Sequence, residues 1–251
     1  MELRRPLCGK TAVPTWMRPP SSVEDSTVSA KTSPFLLALA LSWASLVHAG
    51  VASPIRSVVP CGIVLVGVNG QGVPDPAGAF TIIPKDIAGN PQCYRDITLD
   101  FSGCPDVSIC SVQVTPGVTV TCDAAKRTIT FGKGVTCTPI TLIGGVAHRS
   151  LAASSGCVKV YADGMLLTDG QANQPMTLAA LDESGGDGLG PSDLSLWLID
   201  RFSGSYRARS DFNHAEGCAS QLDPADLAFW LSSYFAGYTR GCSSLGGALC
   251  P

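Results

Sequence analysis

From Ser57 to Ala180 apolar and polar positions alternate in short runs rich in Val, Ile and Thr: CGIVLVGV, AFTIIPKDI, DITLDF, SVQVTPGVTVTC, RTITFGKGVTC, CVKVYADGMLL and PMTLAAL. Successive side chains on a strand point to opposite faces of its sheet, so this period of two marks strands with one face buried. Between the runs stand NGQGVPDPAG, AGNPQ and ADG, whose Gly, Pro, Asn and Asp residues supply the backbone angles that turns require. The pattern predicts a mostly β fold, with seven or so short antiparallel strands closing a two-sheet sandwich over residues 57–180.

The pattern changes after Leu181. Gly- and Asp-rich stretches now precede SDLSLWLIDRF and ADLAFWLSSYF, in which Leu194, Trp197 and Leu198 recur at the spacing of one helical face. The second stretch repeats the first 33 residues on, with identical pairs Pro191/Pro224, Asp193/Asp226, Leu194/Leu227, Trp197/Trp230, Leu198/Leu231, Phe202/Phe235, Gly204/Gly237 and Arg207/Arg240. An internal duplication of two loop–helix units is therefore expected over residues 181–251.

An acidic loop leading into an amphipathic helix is a common holder of Ca²⁺, a hard cation that takes carboxylate, amide and carbonyl oxygens at alternate loop positions. In the first repeat Asp182 and Asp193 stand at positions 1 and 12 of such a loop, Ser184 at 3, Gly188 at 7 and apolar Leu189 at 8. Gly186 at position 5 offers no side-chain oxygen, and Asp187 takes the position where a glycine normally turns the chain. The second repeat offers Asp211 and Asn213 at 1 and 3, Leu222 at 8, Asp223 at 9 and Asp226 at 12, with four extra residues between. Calcium is thus expected in the first loop. In the second, either the insertion splays the ligands, or Glu216 substitutes and Cys218 staples the loop to Cys250 or Cys242.

The run DESGGDGLGPSDLSLWL followed by SDFN…LDPADLAFWL resembles the tandem repeats of dockerin-type domains, over residues 181–238. More loosely, residues 57–180 are similar to bacterial immunoglobulin-like domains of the invasin type. The resemblance implies an anchoring module that meets a cohesin-like protein or a surface ligand through exposed helix faces, often on polysaccharide-degrading machinery. The alternative it leaves open is a carbohydrate-binding accessory of such a system. Asp193 and Asp226 also stand where a carboxylate caps a helix N-terminus, which is the competing structural role for both.

Cysteine usage and the N-terminus bear on compartment. Residues 34–49, PFLLALALSWASLVHA, read as a signal-peptide apolar segment, cleaved after Ala49 or alternatively Ala52, and residues 1–33 as a disordered leader or an over-extended start. Of 11 cysteines, ten follow that point, an even set suited to an oxidising, secreted or cell-surface setting. Cys104 with Cys110, and Cys122 with Cys137, are the short-range closures first expected. With 45% hydrophobic and 15% charged residues and a net charge of −3, the chain has core enough for folding and no basic stripe for nucleic acid. It carries no GxSxG, HExxH or Gly-rich phosphate loop, and His148 and His214 have no evident catalytic companion, so a non-enzymatic role is expected.

Overall fold

The computed structural model describes residues 50–146, 156–168, 175–185, 188–213 and 221–245. The leader, the signal segment, His148, Gly186, Asp187, His214, Glu216, Cys218 and Cys250 lie outside the described residues. No helix among the described residues is long and apolar enough to cross a membrane.

The body is mostly β. In chain order the strands are β1 (Gly62–Leu65), β2 (Ile97–Asp100), β3 (Val107–Gln113), β4 (Val120–Asp123), β5 (Thr128–Phe131), β6 (Thr141–Val146), β7 (Lys159–Ala162), β8 (Met165–Leu166) and β9 (Thr177–Ala180). Two helices follow, α1 (Pro191–Phe202) and α2 (Pro224–Phe235). One sheet is antiparallel throughout, in the order β4-β5-β2-β7-β8. The second layer joins two pairs, β3-β6 and β1-β9, because Val66 bridges Ile143: its N–H donates to Leu142 O at 3.1 Å, and its carbonyl accepts from Gly144 N at 3.2 Å.

One hydrophobic cluster fills the space between the layers, with Ile97, Leu99, Ile129, Phe131 and Val160 from the five-stranded sheet and Ile63, Leu65, Val107, Leu142 and Leu178 from the other. The sheets are not all antiparallel as expected: β1 and β9 pair parallel, Gly62 opposite Thr177 through Leu65 opposite Ala180. The reason lies in burial. Ile63, Leu65, Leu178 and Ala180 face the inter-sheet core, whereas Val64, Val66, Ala179 and Leu181 join a second cluster with Leu189, Trp197, Phe212 and Trp230. Strands covered on both faces read as unbroken apolar runs, and parallel pairing is at home in that setting. The helical pair thus forms a third layer over β1 and β9. The described residues fall in one compact unit, in which β9 ends at Ala180 and α1 begins at Pro191.

Two further expectations change. The run AFTIIPKDI forms no strand; Pro84 interrupts it, and isolated bridges take its place, Phe80 with Ile140, Val58 with Ile83 and Lys85 with Pro91. Conversely, TLIGGV was not among the expected strands yet forms β6, buried at every residue. Its two glycines hide the alternation, but they permit close packing: a β-carbon on Gly144 would collide with Ser108 O, and one on Gly145 would lie 3.1 Å from the Asp182 carboxylate.

The disulfides also differ from the short closures. Cys93 pairs with Cys137, Cys104 with Cys157 and Cys110 with Cys242, across separations of 44, 53 and 132 residues. Cys61 and Cys122 are disulfide-bonded as well, so all eight described cysteines are oxidised. Cys110 lies at a β-bulge between Ile109 and Ser111, an irregularity that re-aims a side chain, and here it directs the sulfur to the segment after α2. Cys242 is therefore not the partner of Cys218.

Candidate functional site

The predicted ligand residues gather at the N-termini of the two helices, and their geometry follows from how each helix begins. Both open with proline at the first position, where a missing N–H costs nothing. Both carry an aspartate two residues later, Asp193 and Asp226, fully buried and turned back on its own loop. Asp193 Oδ2 accepts the N–H of Gly190 at 2.7 Å and its Oδ1 the N–H of Ser184 at 2.7 Å. In the second repeat Asp226 Oδ2 accepts from Asp223 N at 2.8 Å and Oδ1 from Asn213 N at 3.0 Å. Equivalent acids thus bind equivalent amides: the residue that starts the helix and the one at loop position 3.

The remaining candidates complete these networks. Buried Asp182 accepts the N–H of Gly188 on Oδ2 at 3.1 Å and the hydroxyl of Ser184 on Oδ1 at 3.4 Å. Gly188 has φ +105°, and any β-carbon there would meet the backbone of residues 239–241, so its role is close packing of two chain segments. Asp211 accepts the Tyr206 hydroxyl at 2.8 Å. Asp223 caps α2, accepting Ala225 N at 2.6 Å and Asn213 Nδ2 at 3.3 Å on the same oxygen. Burial pushes the Asp193 carboxyl above its usual range, against the bonds from Ser184 and Gly190 that pull it down. Asp226 is raised for the same first reason, opposed by Asp223 and Asn213 amides and reinforced by the charges of Asp211 and Asp223.

Calcium takes about six to eight oxygen ligands. Among the described residues no group of three or more His, Cys, Asp or Glu is disposed to hold a metal. Both oxygens of Asp193 and of Asp226 are engaged by peptide N–H groups. As arranged, the described donors do not fit that ion.

A second constellation escaped the sequence reading. Arg209, in a 3-10 turn over Ala208–Ser210, donates to both oxygens of Asp200, at 2.7 and 3.0 Å, and lies 3.6 Å from Glu183. Ser210 Oγ stands 2.9 Å from Glu183 Oε1 and 2.8 Å from Asp200 Oδ2. All four side chains are buried. Burial drives the Glu183 carboxyl well above the usual range; Asp200 and Asp193 push the same way, while Ser210 and Arg209 oppose. One signal was legible: Asp193, Trp197 and Asp200 share the buried stripe of α1, as Asp226, Trp230 and Ser233 share that of α2, and an acid on an apolar stripe needs a partner.

Comparison with protein-family models, curated proteins and solved structures returned no match for this chain.

Proposed function

We propose that this chain is a secreted, non-enzymatic attachment module, an immunoglobulin-like sandwich bearing a dockerin-like helical pair that meets a cohesin-like protein. One observation carries the reading: a position equivalent in the two repeats holds a large aromatic side chain out in solvent in both. Phe202 and Phe235, identical in the duplication, are 80% and 79% exposed at the ends of α1 and α2, and Leu198 and Ile199 extend the patch on α1 at 40% and 62%. Large apolar side chains held in water are a usual mark of a contact surface, and aromatic residues are frequent binding anchors. The disulfide framework supports an oxidising, extracellular setting.

The test is surface plasmon resonance of the oxidised chain against a panel of purified cohesin domains. Binding to at least one member is expected. Phe202→Ala and Phe235→Ala should each weaken it by about tenfold or more, the effect of truncating an interface anchor. Silence across the panel, or binding indifferent to both substitutions, would remove the reading.

A further inference from the structure

We infer that the two acidic loops are closed by carboxylate-to-amide clasps in place of a cation, so the helical pair folds without metal. The argument rests on what is common to the repeats. A metal cage needs oxygens at fixed positions, and the loops differ there: the second has four more residues between Asn213 and Asp223 than the first has between Ser184 and Gly190. The clasp is the same in both. Asp193 joins Ser184 N to Gly190 N, and Asp226 joins Asn213 N to Asp223 N, all four bonds between 2.7 and 3.0 Å.

A clasp of this kind ties only the two ends of a loop, so it is indifferent to what is inserted in the middle. Its donors are peptide N–H groups, and each of the four carboxylate oxygens accepts one of them. In each helix the N3 carboxylate reaches back to the N–H of the Ncap residue, Gly190 or Asp223, so the bond also serves the helix start. Asp182 repeats the motif within the first loop by accepting from Gly188.

The experiment uses the full oxidised chain, stripped with chelator, and is independent of the partner assignment. Thermal melts are recorded in chelator and in millimolar calcium, beside calorimetric calcium titration and Trp-sensitised terbium emission. Superimposable melts, no stoichiometric heat and no saturable emission are expected. A saturating cation confined to the folded state would raise Tm by about 5 °C or more for a chain of this size, and that rise, or one ion bound at either loop, would overturn the inference. Asp193→Asn and Asp226→Asn, which weaken one acceptor each, should lower Tm by the same amount with and without calcium. A loss seen only in calcium would overturn it too, and should neither variant fold, the wild-type melts and titration decide.

Discussion

At the residue scale the informative group is Ser210, whose hydroxyl has one proton and two carboxyl oxygens within 2.9 Å. Its single proton serves one of the two carboxyls at a time, which leaves the burial of the pair only partly offset. Of the two carboxyls, Glu183 is the one raised well above its ordinary range, first by desolvation, and it lies farther from Arg209 than Asp200 does. Folding thus retains a proton that the unfolded chain sheds above its ordinary carboxyl value of 4.5. Stability from this group is complete below that value and is lost as pH rises through the folded pKa. Glu183→Gln, whose amide donates to Ser210 at any pH, should flatten this decline and melt above the parent near neutrality. Calorimetric melts from pH 4 to 8 check it; identical pH profiles for the two proteins would show that Glu183 is ionised.

At the scale of elements, the duplication allows one helix start to be judged against the other. Asp223 caps α2 with its side chain, whereas the equivalent residue of α1, Gly190, has none to offer. Asp223→Ala should therefore cost about 1 kcal/mol, and Gly190→Ser should gain a few tenths, since an Ncap hydroxyl supplies the missing acceptor. Gly190 has φ −153° and no atom closer than 3.9 Å to an added β-carbon, so the serine fits without strain. Urea denaturation of the two variants measures both signs at once. The helices and their repeat were legible because a period near 3.6 and eight identical pairs survive in the sequence. β1 and β9 were legible as strands, but their parallel pairing was not, since GIVL and TLAA announce burial on both faces without naming the neighbour. β6 was missed because Gly144 and Gly145, chosen for backbone approach, leave no alternation to see.

For the whole molecule, the question is what holds the helical layer to the β body. Noncovalent links of three kinds do so, and a disulfide adds a fourth. The cluster of Val64, Val66, Ala179, Leu181, Trp197 and Trp230 supplies area; Trp230 Nε1 donates to Leu181 O at 3.1 Å; and Val68 exchanges backbone bonds with Arg240 at 2.9 and 3.1 Å. The Cys110–Cys242 disulfide closes the longest described span, 132 residues, over this same junction. The pairing was invisible in sequence because chain proximity says nothing about which edges meet: β3 reaches the segment after α2 only through the fold. Replacing both cysteines by serine should cost about 2–4 kcal/mol, as expected for removing a long-range cross-link. The loss should be uneven. Amides of α1, α2 and residues 238–245 should exchange faster, while β2, β5 and β7, held by Cys93–Cys137, Cys104–Cys157 and the inter-sheet core, keep their protection. Hydrogen exchange read by mass spectrometry resolves the two regions. A uniform acceleration across both would mean that β body and helices unfold as one unit, the packed interface alone coupling them.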